Sequence, residues 1–588
     1  MRFHVLAADY DGTLAHHGRI DDATYAALRK LRESGRKLVM VTGRELDELL
    51  GIVRYPELFD RIVAENGGVV YDPATKEATL TCAAPTPEFV ADLLRRGVER
   101  VSCGRVIVAT WEPHQDKVLQ SIRDLGLDLQ VIFNKGAVMI LPSAVNKATG
   151  LVKALGDLGL SRHNTVGVGD AENDHALLEL AECGVAVANA LPVLKERADL
   201  VLEGDHGAGI IELIDRMIDD DLASVPLVRR AIVLGKTKDG REIAIDPYRA
   251  NIMVCGTSGS GKSTLTTGLL ERFAKESYQF AIIDPEGDYG ELDIAVALGS
   301  AKHAPDTSEI LDVLRSPTEC VSINLLGLAL DQRPEYFTGL LTTLLDLRSR
   351  TGRPHWLIVD EVHHMMPANW EQGADIAMRP HGTIFITVHP NLTSRPVIHS
   401  LDTLIVIGEH VDQTVRELCE ARNIDVPVLA AIGKLPTGQA LYWQIGDPET
   451  QLVSYDPPKS ARKRHVRKYA EGNIGKSRSF YFRGPHGKLN LKAHNLQLFT
   501  HLAEGVDDDT WEFHAKNHDY SGWIRSEVKD QELADEVHRL EQHPKPSREA
   551  IKAAIEKRYT LPADRPSGVV DEESDVPPPS KRHVAGYQ

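Results

Sequence analysis

The stretch "FHVLAADYDGTL", residues 3–14, runs apolar into two aspartates two residues apart, Asp9 and Asp11. Like charges at that spacing, straight after a segment patterned for burial, are costly unless a cation or a reaction uses them. Two more apolar runs end in polar groups. "LVMV" leads into Thr42-Gly43-Arg44, and "TVGV" leads into Gly169-Asp170, with Asn173 and Asp174 one turn later. Lys147, in "PSAVNKATGL", opens a helical pattern that can bring one ammonium to the same edge. Clustered acids with one lysine suit magnesium-assisted phosphoryl chemistry, because Mg2+ takes oxygen ligands and neutralises both the carboxylates and an incoming phosphate.

A second set lies in "NIMVCGTSGSGKSTLTTGLLERF". Gly256, Thr257, Ser258, Gly259, Ser260, Gly261, Lys262, Ser263 and Thr264 spell G-x-x-x-x-G-K-S-T between an apolar strand and an amphipathic helix. Such a loop wraps backbone N–H groups around phosphates, with the lysine on the outer phosphates and the serine on magnesium. "HWLIVDEVHHMMP" then supplies Asp360 for the magnesium shell and Glu361 to polarise the attacking water. His363 and His364 beside them invite a metal reading, but adjacent residues rarely share one ligand sphere.

These groups need rigid elements to converge. "RKLVMVTG", "RIVAENGG", "NTVGVGD", "CGVAVANA" and "ADLVLEGD" read as buried parallel strands, with "DDATYAALRKLRESG" and "NDHALLELAECG" as helices between them, each stopped by glycine. That pattern predicts an open α/β sheet over residues 1–222, whose functional groups collect at the carboxyl ends of the strands. A second α/β series covers 227–456. A proline-led basic linker, 457–474, precedes a mainly helical segment, 475–561. The tail, 562–588, has the proline-rich, charged composition of disorder.

At 588 residues the chain exceeds one hydrophobic core, and its 42% hydrophobic and 26% charged content is ordinary for a globular protein. The net charge of -18 argues against a chain that coats nucleic acid. Six scattered cysteines without a C-x-x-C pair fit a reducing compartment. No apolar run is long enough to span a bilayer, so the expectation is a cytoplasmic protein with no membrane partner.

The four motifs "DYDGT", "VTGR", the lysine of "NKATG" and "GDAEND" occur in order, and over about 220 residues the chain resembles the haloacid dehalogenase (HAD) superfamily, in its Cof-type phosphatases with an inserted cap. The resemblance implies Asp9 as nucleophile forming an aspartyl-phosphate, and Asp11 as general acid and then base. It implies Thr42, Gly43, Lys147 and Asn173 around the phosphoryl group, and magnesium on Asp9, the Asp11 carbonyl, Asp170 and Asp174. The cap is expected at about 80–140 as an α-β-α-β-β unit whose small size favours a sugar or short-acid phosphate.

The second series resembles the HerA/FtsK group of ring ATPases through "LGKTKDGREIAIDPYRANIMVCG", "AIIDPEGDYGEL" with Asp284, Glu286 and Asp288, and "GTIFITVHPN", where His389 stands in place of the usual glutamine sensor. That group implies an arginine reaching a neighbouring subunit, with Arg379, Arg395 and Arg416 as candidates. In the helical segment, His514 and His518 stand four apart with Asp519 beside them, a spacing that permits a metal pair; Trp511, Phe513, Tyr520, Trp523 and Ile524 read as core.

The expected fold is therefore multidomain α/β: a Rossmann-like HAD core with a small α+β cap, a P-loop RecA-like ATPase domain and a C-terminal helical domain. The expected function is a Mg2+-dependent phosphomonoesterase coupled to a domain that binds and hydrolyses ATP. Its expected partners are a small phosphorylated substrate, ATP, and further copies of itself up to a hexameric ring. Two alternatives stay open: a polynucleotide end-healing phosphatase/kinase, and an ATP-switched regulatory or defence assembly with a ligand-sensing HAD domain. Nucleic acid binding would rest on the basic linker, against the net charge.

Overall fold

The chain divides into two compact units, Met1–Asp456 and Pro457–Gln588. The computed structural model describes residues 1–134, 136–247, 250–257, 259–300, 302–370, 381–458, 478–485, 487, 489–528 and 530–558. Ser258, Arg379, most of the basic linker and the tail from 562 lie outside the described residues.

In the first unit the strands β1 (Val5–Asp9), β2 (Lys37–Val41), β3 (Arg61–Ala64), β4 (Val69–Asp72) and β5 (Glu77–Leu80) precede an insertion. The insertion carries β6 (Ser102–Cys103), β7 (Val108–Trp111), β8 (Leu129–Asn134) and β9 (Ala137–Pro142). After it come β10 (Thr165–Gly169), β11 (Cys183–Ala186) and β12 (Leu200–Val201). The main sheet has the order β12-β11-β10-β1-β2-β3-β4-β5. It is parallel from β12 to β3 and antiparallel beyond. Every residue of β1 is buried, as an apolar strand covered on both faces must be.

The insertion adds helices Pro87–Arg95 and Gln115–Asp124 to a four-stranded sheet ordered β6-β7-β9-β8. Its order is thus α-β-β-α-β-β; the two-residue β6 is too short to show a period in sequence. Glu65 fastens it to the main sheet. This buried carboxylate accepts the backbone N–H groups of Arg105, Val106 and Ile107 at 3.0, 2.6 and 2.9 Å.

The second sheet is built from β13 (Ile232–Thr237), β14 (Glu242–Ile245), β15 (Asn251–Gly256), β16 (Phe280–Asp284), β17 (Val296–Leu298), β18 (Val321–Asn324), β19 (Trp356–Val359), β20 (Thr383–Thr387), β21 (Thr403–Ile407), β22 (Gln439–Gln444) and β23 (Gln451–Ser454). Their order is β14-β13-β23-β22-β21-β15-β20-β19-β16-β18-β17. The phosphate-loop strand β15 is wholly buried between β20 and β21, and β20 separates it from β19.

Residues 1–222 and 227–456, which read as separate domains in sequence, lie in one compact unit because their sheets meet at their amino-terminal edges. His163, just before β10, stacks on Tyr278, just before β16, at 3.7 Å between ring centroids. Its Nε2 lies 2.7 Å from the Glu276 carbonyl and its Nδ1 2.7 Å from Glu182. Arg353 donates to the Gly159 carbonyl at 2.6 Å, and His355 meets Asn164 at 3.2 Å. Glu182, fully buried, is the hub: Arg2 at 3.1 Å, Tyr278 at 3.2 Å and Arg230 at 3.6 Å converge on it. Burial alone would raise its pKa, but His163, Arg2 and Arg230 outweigh that and hold it below the usual carboxylate value. Glu182→Ala is expected to lower the stability of the full chain by about 3–5 kcal/mol, because it strands buried guanidinium groups. An unchanged urea midpoint would refute this account of the interface.

The second unit opens with an antiparallel hairpin, β24 (Phe480–Phe482) and β25 (Leu491–Ala493), which a mainly helical reading missed. Helices Leu496–Gly505, Asp508–Lys516, Asp519–Trp523, Gln531–Glu541 and Pro544–Arg558 follow. Phe480, Phe482, Phe499, Trp511, Tyr520, Trp523 and Ile524 share one core, whereas Phe513 is only half-buried. Among the described residues no helix is long and apolar enough to cross a membrane.

Candidate active sites

β10, β1 and β2 run side by side, so their carboxyl ends bring Asp170, Asp9 and Thr42 to one edge. Lys147 arrives as the first residue of helix Lys147–Asp157, whose start is set by a capping box between Asn146 and Thr149. Its ammonium, 1% exposed, donates to Asp9 Oδ1 at 2.5 Å and Asp174 Oδ1 at 2.6 Å. Asp174 sits in a one-turn helix after β10, and its Oδ2 accepts the N–H groups of Asp170 and Ala171 at 2.9 and 3.0 Å.

Asp9, Asp170 and Asp174 each offer an oxygen within 4.8 Å of the others. Two of these three buried carboxylates hold the single ammonium, so the cluster carries excess negative charge. Burial first, then the Asp174 charge, push the Asp9 pKa up to about 8, against the pull of Lys147. For Lys147, burial lowers the pKa but the two aspartates outweigh it and raise it. A divalent cation with oxygen ligands fits this donor set and would discharge the excess. Gly12 shapes the cradle: at φ +90°, a Cβ there would stand 2.2 Å from Asp170 Oδ2.

Asp11 stands apart from that cluster. Its carboxylate is gripped by Arg44 through Nε at 2.6 Å and Nη2 at 2.8 Å, and Arg44 also pairs with Glu48. The buried Thr42 hydroxyl accepts the Arg44 N–H at 3.2 Å, and Asn173 donates to Asn66 at 3.0 Å. Asp9, Asp11, Gly43 and Asn173 line a cavity of about 650 Å3 that Thr110, Trp111 and Met139 of the insertion also line. Arg44, His16 and His206 also line it, without any role assigned to them by the sequence reading. His16 stacks on His206 at 4.4 Å, and His206 Nδ1 lies 2.9 Å from the Gly12 carbonyl. The "HHG" three residues after the first motif was the available signal for His16.

At the second sheet, Gly261 at φ +102° turns the chain from β15 into helix Lys262–Lys275. Lys262 folds back onto the Gly256 and Thr257 carbonyls, at 2.9 and 3.4 Å. Thr257, Gly259, Ser260, Ser263 and Thr264 stay at least partly open to solvent. Asp360 follows β19, is buried, and accepts the Glu361 N–H at 2.9 Å. Burial first, then Glu361, Asp284 and Asp288, raise its pKa well above the carboxylate range. Glu361 takes a left-handed conformation, φ +42°.

Asp284 closes β16 but is engaged by its own loop, accepting from the Asp288 and Tyr289 N–H groups at 2.9 and 2.7 Å. β20 ends at Thr387, two residues before His389, so the strand-closing position belongs to threonine. Thr387 Oγ1 accepts the His389 N–H at 3.0 Å and faces His363 Nδ1 at 3.1 Å. Burial first, then neighbouring positive charge including Lys262, pull His363 down to about 4. His363 and His364 belong to no three-residue ligand cluster among the described residues. Arg395 and Arg416 are exposed.

In the second unit, His514 and His518 do not share a face. The helix carrying His514 ends at Lys516, and His514 accepts the Arg483 N–H at 3.0 Å while pairing with Asp519 at 2.7 Å.

A family model described as haloacid dehalogenase-like hydrolase matches residues 6–100 and 93–214. One described as AAA domain matches residues 245–395. Phosphoglycolate phosphatase 2 of Saccharolobus solfataricus is 30% identical over 220 residues, covering 36% of this chain and 92% of that protein. Phosphoglycolate phosphatase of Methanothermobacter thermautotrophicus is 31% identical over 218 residues, covering 36% and 98%. A solved haloacid dehalogenase-like hydrolase from Bacteroides thetaiotaomicron aligns at 19% identity with a TM-score of 0.32, covering 37% of this chain and 99% of that one.

Proposed function

This chain belongs to the haloacid dehalogenase-like hydrolases and is an enzyme, and from that premise we propose a phosphomonoesterase of the aspartyl-phosphate type, joined to a domain that binds and hydrolyses ATP. The observation that carries the reading is the Lys147 ammonium bridging Asp9 and Asp174, with Asp170 alongside. Asp9, Asp170 and Asp174 would hold Mg2+, which when bound neutralises the carboxylates and the phosphoryl oxygens.

The chain's own residues then divide the work. Asp9 attacks phosphorus, and the bond to the leaving oxygen breaks as Asp11 gives that oxygen its proton. Thr42, Gly43 and Asn173 hold the phosphoryl oxygens, and Lys147 offsets their charge. Asp11 next takes a proton from water, whose oxygen attacks phosphorus, releasing orthophosphate and restoring Asp9. The insertion acts as a cap that excludes bulk water. Arg44 must loosen its grip on Asp11 for that carboxyl to carry a proton, and a substrate carboxylate is a natural alternative partner.

Arg44 with His16 and His206 in the cavity lining, and relatives named for phosphoglycolate, favour a small phosphorylated acid. In a screen of phosphate release from phosphorylated acids, sugars, nucleotides and polynucleotide ends, 2-phosphoglycolate is expected to exceed sugar phosphates in kcat/KM by about tenfold or more. A preference for polynucleotide ends would replace this reading with end healing.

In the ATPase domain, Lys262 would leave the Gly256 and Thr257 carbonyls for the outer phosphates, Ser263 and Asp360 would hold magnesium, and Glu361 would align water. The hairpin β13/β14 leading toward the phosphate loop supports a HerA-like ring ATPase. In such a ring, exposed Arg395 or Arg416 would reach a neighbouring copy. Gel filtration with and without ATP is expected to show an assembly larger than the 64.8 kDa monomer; a monomer in both states would end the ring proposal.

A further inference from the structure

We propose that His518, His538 and Glu541 form a binding site for a zinc-type divalent cation, in the unit that contains neither phosphate site. His538 and Glu541 stand three apart on helix Gln531–Glu541, so they share a face, and His518 comes from the turn before helix Asp519–Trp523. Glu541 is 1% exposed, although His518 above it is exposed and His538 only partly buried. His518 Nδ1 lies 3.1 Å from Glu541 Oε2, and His538 Nδ1 lies 3.8 Å from the same oxygen. The two rings are 4.3 Å apart at their centroids.

Tetrahedral bonds of about 2.0–2.1 Å place ligand atoms roughly 3.4 Å from one another, and the two separations bracket that value. The carboxylate is also oriented as a ligand would be: the Ser521 N–H donates to Oε1 at 3.0 Å and the Ser521 hydroxyl to Oε2 at 2.5 Å. A plain hydrogen bond from His518 to Glu541 explains one imidazole. It leaves His538, beyond hydrogen-bond distance of the carboxylate and only marginally placed on Ser521 at 3.4 Å, turned toward the same oxygen without a strong partner there.

Two imidazole nitrogens and one carboxylate oxygen select zinc-like ions over magnesium, which takes an octahedron of oxygens. The solvent side of the two rings leaves room for a fourth ligand. A bound cation would staple the turn at His518 to helix Gln531–Glu541.

The test uses the full chain, stripped by chelator and titrated with Zn2+ against a chromophoric competitor, and separately with Co2+ as a spectroscopic probe. The wild type is expected to take up a Zn2+ that His518→Gly and His538→Ala each bind at least about tenfold more weakly. Both variants should also lose an intense visible absorption of four-coordinate Co2+. The all-oxygen cluster at Asp9 favours six-coordinate Co2+, which absorbs weakly, so it does not imitate that signal. His518 has φ +57°, which glycine adopts freely, and alanine suits the helix at 538, so both variants should fold and keep Mg2+-supported phosphate release. Zn2+ uptake and Co2+ absorption unchanged in the two variants would overturn the site, as would a wild type without the four-coordinate signal.

Discussion

Asp9→Asn is expected to abolish phosphomonoester turnover, by about 10⁴-fold or more in kcat, while ATP hydrolysis continues at the wild-type rate. The carboxamide keeps the shape of the side chain and can still accept from Lys147, but it cannot form the phosphoenzyme, and losing a nucleophile removes nearly all rate enhancement beyond binding. The same variant makes a stability prediction of opposite sign. In the metal-free chain the Asp9 pKa is raised to about 8, by burial and then by Asp174. The folded state therefore keeps a proton that the unfolded chain releases near pH 4, and stability declines as pH rises between those values. Asp9→Asn removes that decline. In chelator at pH 8 the variant is expected to melt higher than wild type, each kcal/mol being worth roughly 2–4 °C for a domain of this size. The difference should vanish near pH 4. Phosphate release unchanged in Asp9→Asn would end the catalytic assignment, and equal melting at pH 8 would end the electrostatic one.

Lys262→Ala is expected to give the converse result: ATP hydrolysis falls by about 10²–10³-fold, the usual cost of removing one donor aimed at developing charge, and phosphatase turnover stays intact. The independence follows from the way the two sheets meet. His163, Glu182, Tyr278 and His355 all lie at amino-terminal strand edges, whereas Asp9, Asp170, Gly256 and Asp360 lie at or just after the carboxyl ends. At about 3.3 Å per residue, the five-residue strands β10 and β16 put roughly 15 Å between the interface and the carboxyl ends on either side. No side chain spans that distance, so neither site lends a group to the other. Loss of phosphatase activity in Lys262→Ala, with the fold retained, would show that nucleotide occupancy is transmitted through the buried interface.

The positions of the candidate phosphate-site residues were legible in sequence because each lies at or near a strand end or a helix start, and these elements carry strong local periodicity. Asp9, Lys147, Lys262 and Asp360 needed only their neighbours to be placed. Two other features were not legible. Arg44 belongs to the "VTGR" motif, yet its grip on Asp11 depends on a long side chain crossing between two strand ends. The spacing of His514 and His518 implied a shared face, but the helix stops at Lys516, so His518 turns instead to Glu541, 23 residues on.

What the amino-acid order pointed to by itself is the hydrolase class, through four ordered motifs whose acids end buried strands, where a cation would offset their charge. Only the tertiary structure decided that the two α/β parts share one compact unit, joined at the amino-terminal edges of their strands. That contact is made by residues such as Glu182, Tyr278 and Arg353, which are polar and scattered. Their burial is set by long-range packing of two sheets, which leaves no period in the chain to read.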